Sequence, residues 1–319
     1  MAFGTPPAYM GFMGYVRFKF PSVNDVIIRA TSADLRLSQD ITKPDVIDGR
    51  FDKTVYQLGP QIVEGSVEYP AIMERSGRTD PTAQLYRAAI GRDVGIGARA
   101  GRLKSTYIFD TEVMYTTQFA NFKYNQCIVN TWSFKAEQSG IVTINVGLLG
   151  RDREQAANTP LTTSSSGFPI NARIVTWNDV TVGITGAVTV SSEYVRTFEA
   201  TVNNDAERFY TFNGLLAPQD IAARKRDIDG SIVLLGRHPQ LAEQAYTNQD
   251  RCYEVSQINF GYQLSRTECN STFLVTYPNT IFEIEEMQLS NDIFETTVNW
   301  HVLPDDNDLE GSAYLTTAS

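Results

Sequence analysis

Reactive side chains are what this sequence has least of. Its 319 residues include two histidines, His238 and His301, and neither belongs to a metal-binding pattern such as HExxH. His238 is expected beside the start of a helix at the surface, and His301, next to Trp300, as a partly buried strand residue. Three cysteines, Cys127, Cys252 and Cys269, are too few and too scattered for a disulfide framework, and none forms a CxxC pair. Buried free thiols are the first expectation and a Cys252–Cys269 bridge the second. No apolar run reaches the roughly 18 residues that a membrane helix needs. The opening MAFGTPPAYMGFMGY has no basic stretch followed by an apolar one, so a secretory signal is not expected and an intracellular folding compartment is. Positive charge is also short, with 27 Lys and Arg against 37 Asp and Glu, a net charge of -10 and a pI near 4.8. Surfaces that hold nucleic acid by counterion release are normally basic. Unless its charge is segregated, this balance argues against a DNA-reading module, but not against a wall past which DNA slides without sticking.

What is abundant is strand. Alternating or β-branched segments run through Ala33 to Leu37, Ile62 to Tyr69, Tyr107 to Thr117, Ile128 to Ala136 and Val142 to Leu148. They resume at Val180 to Val190, Tyr194 to Val202, Ile228 to Leu235, Tyr253 to Gln263, Thr272 to Tyr277, Ile281 to Leu289 and Glu295 to Val302. VTINVGLL and TTVNWHVL alternate with Asn in the outward slot, which predicts antiparallel sheets with one wet face. Two segments predict helix: Asp80 to Gly91, with Pro at its first turn and Gly at its stop, and His238 to Gln249, again with Pro near its start. The length suggests two domains of about 150 residues. The Ser/Thr-rich, proline-bracketed stretch NTPLTTSSSGFP divides them. The expected organisation is a first domain over 1–157, a linker over 158–169, a second domain over 170–304 and an acidic tail over 305–319.

The two halves show the same order of elements. VEGSVEYP (Val63 to Pro70) and IDGSIVLL (Ile228 to Leu235) share a Gly-Ser step, with Gly65 and Gly230 165 residues apart. At that offset Leu35 and Leu37 fall over Ala200 and Val202, Asp40 over Asp205, and Asp48-Gly49 over Asn213-Gly214. In each half a strand leads to a long polar segment, then the Gly-Ser strand, then a helix begun by Pro. Near the end of each half, Val142 to Val146 aligns with Thr296 to Trp300, placing Asn145 over Asn299. An internal duplication accounts for this order, and its period is a whole domain rather than the short repeat of a solenoid.

The stretch RTFEATVNNDAERFYTFNGLLAPQDIAARKRDIDGSIVLL resembles the core of bacteriophage tail tube proteins, in which a strand leads into a long arm and then a Gly-Ser strand. CIVNTWSFKAEQSGIVTINVGLLGR resembles the other half of that core, a hairpin whose second strand begins after a Gly turn. The resemblance covers most of Ala30 to Arg151 and Glu193 to Leu303. It implies a mainly β fold: two similar β-sandwich or barrel-like domains, each with one α-helix packed on its side. It further implies a structural, non-enzymatic virion protein, the major tail tube subunit. In that role the chain would assemble in the host cytoplasm into stacked pseudo-hexameric rings, three chains to a ring. Double-stranded DNA would pass through the lumen without specific binding. Other tail proteins (terminator, tape measure, baseplate and, in some tails, a sheath) would be its partners. A tail-end or baseplate hub protein with the same domain is the nearest alternative. A glycan-binding β-sandwich is a remoter one, and it expects aromatic clusters on loops, whereas Phe198, Tyr210, Phe260, Phe282 and Trp300 mostly fall at strand positions.

Candidate contact residues come from the two long polar segments, Ile41 to Gln61 and Ala206 to Asp227. Loops of that length in a compact domain are usually functional or disordered. Their matched positions favour arms reaching neighbouring subunits or rings through Lys43, Asp48, Arg50, Asp52, Lys53, Asp220, Arg224, Lys225, Arg226 and Asp227. A basic loop with Arg92, Arg99, Arg102 and Lys104 is a second candidate. Its glycines do not make GxGxxG, and no Gly-Lys-Ser/Thr comes after them, so it is not a phosphate loop. The Gly-Ser strands lack the second Gly of a GxSxG nucleophile elbow. DNDLEG at Asp306 to Gly311 starts like a calcium loop, but Thr317 stands where the bidentate Glu belongs. No catalytic residue, cofactor or metal is expected. The termini, Met1 to Met13 and Asp305 to Ser319, are expected to order on assembly.

Overall fold

The computed structural model describes residues 15–21, 25–42, 57–73, 81–90, 108–114, 121–156, 173–185, 192–212, 214–236, 259–266, 271–277, 280–284, 295–302 and 314–318. The first half contains β1 (Tyr15–Lys19), β2 (Val26–Ile28), β3 (Ser32–Ala33), β4 (Arg36–Thr42), β5 (Gln57–Pro70), β6 (Ile72–Met73), α1 (Pro81–Ala89), β7 (Phe109–Met114), β8 (Asn121–Glu137), β9 (Thr143–Gly150) and β10 (Asp152–Ala156). The second half contains β11 (Arg173–Ile174), β12 (Val180–Thr185), β13 (Val195–Asn203), β14 (Ala206–Phe209), β15 (Asp220–Ala223), β16 (Asp227–Leu235), β17 (Asn259–Arg266), β18 (Ser271–Tyr277), β19 (Thr280–Ile284), β20 (Glu295–Val302) and β21 (Tyr314–Ala318). The fold is mainly β, as the alternation predicts.

Its main feature is a continuous antiparallel run, β4-β5-β9-β8-β13-β16-β20-β19. Strand β8 is long because it serves two sets of neighbours. Its first part pairs with β7 and β10, and its second part with β9 and β13. A bulge at Asn130 falls within its pairing with β9, just before the pairing with β13 begins at Thr131. Bulges bend a strand and re-aim the residues beyond them, and this one turns β8 toward β13.

Period-two alternation sorts the run into two faces. Val63, Val67, Trp132, Phe134, Ile144, Val146, Phe198, Val202, Ile232, Val298 and Trp300 are fully buried on one of them. A second layer covers these residues, made of α1 and the sheet β12-β17-β18-β21. The Tyr86 ring of α1 meets Trp132 edge-on at 4.9 Å and Phe273 of β18 at 5.7 Å, and Tyr277 lies 5.3 Å from Trp300. The Tyr86 and Tyr277 hydroxyls face each other at 3.3 Å. A helix of the first half therefore packs on strands of the second, and one buried core includes residues of both.

The Gly-Ser strands owe their glycines to close approach. Gly230 is paired with Ala200 on one side and Trp300 on the other. A Cβ there would lie 2.6 Å from Trp300 Cε2 and closer still to Cζ2 and to the Glu199 carbonyl. The Trp300 ring lies flat over the glycine and stacks on Phe198 at 6.2 Å. At Gly65 an added Cβ would lie 2.6 Å from Leu35 Cα.

Helix α1 begins at Pro81, as expected, where a missing N–H costs nothing. The Thr82 hydroxyl donates to Ile72 O at 3.2 Å. The Ala206 to Asp227 segment, read from sequence as a long polar arm, contains a hairpin of β14 with β15. Two features depart from the sequence reading. The C-terminal segment contributes β21, paired with β18 from Thr272↔Ala318 to Thr276↔Tyr314. His301 is exposed on the polar face of β20, not partly buried, since its neighbour Trp300 takes the inward slot. The expected second helix at 238–249, the linker at 158–169, Cys252 and Cys269 lie outside the described residues.

Substituting Gly230→Ala should destabilise the protein by about 3 kcal/mol, the upper end for overpacking, since both neighbours are rigid. Gly183→Ala in β12, where an added Cβ meets nothing within 4 Å, should leave stability unchanged or raised. Thermal unfolding followed by circular dichroism checks both.

Candidate functional site: an assembly surface

The outward face of the eight-strand run is mostly polar, with Leu149, Val233, Leu235 and Ile281 as half-buried exceptions. Cross-strand rows such as Glu68-Asn145-Ser133-Thr201-Asp229-His301 run across it. Its acids are Asp34, Glu64, Glu68, Glu137, Glu199, Asp227, Asp229, Glu283 and Glu295, against Arg36, Lys135 and Arg196 as full cations. The rest is mostly Ser, Thr, Asn and Gly. Partial burial raises the Asp229 carboxyl above its usual range, and His301 across the strand pair opposes that rise. An acidic surface with short side chains neither grips a phosphate backbone nor obstructs it.

At the middle of the run the two halves join along one seam, β8 with β13. It pairs seven residues in unbroken register from Thr197↔Glu137 to Asn203↔Thr131. On its polar side Lys135 Nζ lies 2.8 Å from Glu137 and 2.9 Å from Glu199. Hydrogen bonds to Glu137 and then Glu199 hold the Lys135 ammonium above its ordinary range. At the outer margins, among the described residues, β4 pairs only with β5 and β19 only with β20. The Asp34 N–H donates to Ser66 O, so by alternation the amides of Leu37 and Gln39 point away from β5. Open edges of this kind are templates for another strand.

The third component is the arm between β13 and β16. The Arg208 guanidinium donates to Val63 O at 2.8 Å and lies 3.3 Å from Glu64. The Tyr210 hydroxyl donates to Gln61 O at 2.9 Å, and the Gln61 N–H donates to Leu216 O at 2.8 Å. An arm of the second half thus clasps the Gly-Ser strand of the first. Around the clasp Phe209, Tyr210, Leu215 and Leu216 are exposed, and Phe212 lies wholly in solvent. Phe198, Phe282 and Trp300 are buried in strands as expected, whereas Tyr210 lies past the end of β14.

The charged candidates on this arm are held within the chain. Arg224 pairs with Glu207 at 3.1 Å and Lys225 with Asp227 at 2.8 Å, both well exposed and therefore worth little to stability. Asp220 pairs with Phe209 in the hairpin, and Asp227 opens β16 opposite Asn203. Arg226 departs from the expectation of an outward cation. It turns inward, donates from Nε to Asn204 Oδ1 at 3.2 Å, and leaves Nη2 buried without a partner. Burial pulls its guanidinium down to about 10, with Tyr86 opposing. Lys43, Asp48, Arg50, Asp52 and Lys53 lie outside the described residues, as do Arg92, Arg99, Arg102, Lys104 and the Asp306 to Gly311 loop.

Asn204 is the residue that sequence reading missed. Its amide donates to Ala89 O at the end of α1 (2.7 Å) and to Val129 O (2.8 Å) while receiving Arg226. One side chain therefore ties the arm base, the helix and the β8 bulge together. The only signal was the Asn-Asn-Asp at a strand end, which reads equally well as a turn. Cys127 is buried and its thiol is pushed up to about 12 by burial, so it stays protonated and inert. Among the described residues no group of His, Cys, Asp and Glu could hold a metal ion, and no helix is long and apolar enough to cross a membrane.

A family described as phage tail tube protein matches residues 2–265. The chain belongs to the phage tail tube protein family. Membership implies a structural component of the virion that assembles with other tail proteins in a phage tail. No curated protein matches the chain. The match spans the first half of this tail tube protein and the second as far as β17, so the seam, the clasping arm and the polar face from β4 to β16 fall within it, whereas β19 and β20 lie beyond it.

Asn204→Ala should cost about 3 kcal/mol, because two buried carbonyls and a buried guanidinium lose their partner together. Lys135→Glu would place three carboxylates along the seam. The expected loss is about 1 kcal/mol at low salt, and 0.5 M NaCl should recover most of it. Chemical denaturation at two ionic strengths checks both.

Proposed function

We propose that this protein is the major tail tube subunit, forming closed rings of three chains that stack into the conduit for genome ejection. The observation that carries this reading is the strand order. β4 stands to β5 as β13 stands to β16, since Leu35 faces Gly65 in the register of β4 with β5, and Ala200 faces Gly230. β19 stands to β20 as β8 stands to β9. The seam β8–β13 is therefore the internal version of a contact between β19 of one copy and β4 of the next. Such a contact is heterologous, and a rotation that repeats it closes a ring.

The same order supports a duplicated domain, residues 1–157 and 170–304 about the linker 158–169, with pseudo-sixfold rings of three chains. It also refines the alignment. Gly65 faces Leu148 and Gly230 faces Trp300, so Leu148 corresponds to Trp300. Asn145 then aligns with Thr297, one pleat away from Asn299. In this reading the acidic face lines the lumen, and DNA phosphates are repelled from it across water. The arm's clasp on β5 within the chain is the contact that the first arm would make on a neighbour. A hub protein forming a single ring uses the same edges and differs only in stacking.

Electron microscopy of purified protein tests the reading. Wild type should give rings with threefold end-on intensity that extend into tubes. Gln39→Pro removes an outward amide from the β4 edge and should leave a folded monomer that forms no ring. Rings closing normally in that variant would remove β4 from the interface.

A further inference from the structure

Among the described residues the large exposed apolar side chains, apart from Ile41, Leu58 and Ile108, form two groups at opposite ends of strand β13. At the arm end stand Phe212, wholly exposed, and Leu215, 55% exposed. At the other end stand Ile141 (53%), Ile174 (46%) and Tyr194 (46%). The ends are well defined. The arm leaves the C-terminal end of β13, where the Ala206 N–H donates to Asn130 Oδ1. Tyr194 immediately precedes β13 at its other end, where the Gln138 N–H donates to Arg196 O. Ile141 lies just past that turn and bridges to Thr176, two residues beyond Ile174. The nine residues of β13 span about 30 Å. A chain therefore cannot cover its own far end with its own arm.

We propose that Phe212 and Leu215 of one copy dock on the Ile141, Ile174 and Tyr194 surface of a second copy displaced along the strand direction. This inference rests on the ring reading and names its stacking contact. Patches of exposed apolar surface on opposite ends of one molecule are what a repeated head-to-tail contact requires. A two-fold contact of arm on arm would leave the Ile141 end bare. A second copy stacked end to end covers both. The clasp at Tyr210 and Leu216 fixes the base of the arm, so its apolar tip is presented rather than free to fold back. The orientation also gives the polymer a direction, with arms at one end and receiving surfaces at the other.

The test uses Phe212→Asp and Ile141→Asp in the full chain, each first shown to unfold near the wild-type temperature. Each variant alone should close rings but raise the protein concentration needed for tube growth by at least about tenfold. Mixed, they should form two-ring stacks and nothing longer, because the mixture retains one intact pairing of arm with receiving surface. Electron microscopy and pelleting read both results. Tubes growing normally from Phe212→Asp overturn the proposal. So does normal growth from Ile141→Asp with none from Phe212→Asp, which would mean that arms meet arms, and so does a mixture without two-ring stacks. Wild-type protein that forms no ring at all overturns the ring reading and this inference with it, a result distinct from rings that stack regardless of these substitutions.

Discussion

The backbone pairing of β8 with β13 is the contact on which the rest of this structure depends. It joins the last strand of the first half's sheet to the first strand of the second half's, in unbroken register, and so turns two small sheets into one. Without it neither half could bury its apolar face, because the cover is shared: Tyr86 comes from the first half and Phe273 and Tyr277 from the second. Seam and core are thus coupled. The pairing orders the strands, and the common aromatic layer beneath them holds the pairing in place.

That coupling explains where the polar exceptions sit. A sheet with one dry and one wet face keeps nearly all its hydrogen bonding in the ladder, and the difficulty lies where β8 changes neighbours. There the bulge at Asn130, the side chain of Asn204 and the buried Arg226 gather in one place. Asn204 satisfies the carbonyls that the bulge and the helix end leave over. Arg226 is less well served, and its depressed basicity measures the desolvation it suffers beside the end of α1, a position that the helix dipole makes favourable for a cation. The exposed ion pairs of the arm are secondary. The clasp is held by Arg208 and Tyr210 reaching backbone carbonyls of β5, which cannot move away as a side chain can.

Much of the sheet is legible in the sequence. Period-two alternation placed most of the long strands to within a few residues, because burial of one face selects for it directly. Less legible was everything governed by partners distant in sequence. β14 and β15 escaped notice because a four-residue hairpin strand carries too few alternations to stand out among polar neighbours. β21 did so because its apolar signal lies behind a run of acids. Arg226 read as one of three equivalent cations in ARKR, although it alone turns inward. Asn145 and Asn299 match as side chains, whereas the proposed duplication, with Leu148 opposite Gly65 and Trp300 opposite Gly230, sets Asn145 level with Thr297, one pleat away. Side-chain identity cannot reveal such a slip, since a shift of two residues keeps every side chain on its own face.

The sequence by itself determined the class of the fold, the wet and dry faces of its strands, the acidity of the wet face and the absence of any recognisable catalytic or metal-binding pattern. These are properties of composition and local period, which need no distant partner. Only the tertiary structure decided which strand lies beside which: that the halves meet at β8 and β13, that β4 and β19 remain as margins, and that the apolar tips lie at opposite ends. Strand order is set by contacts between segments far apart in the chain, and their packing leaves no period in the sequence to read.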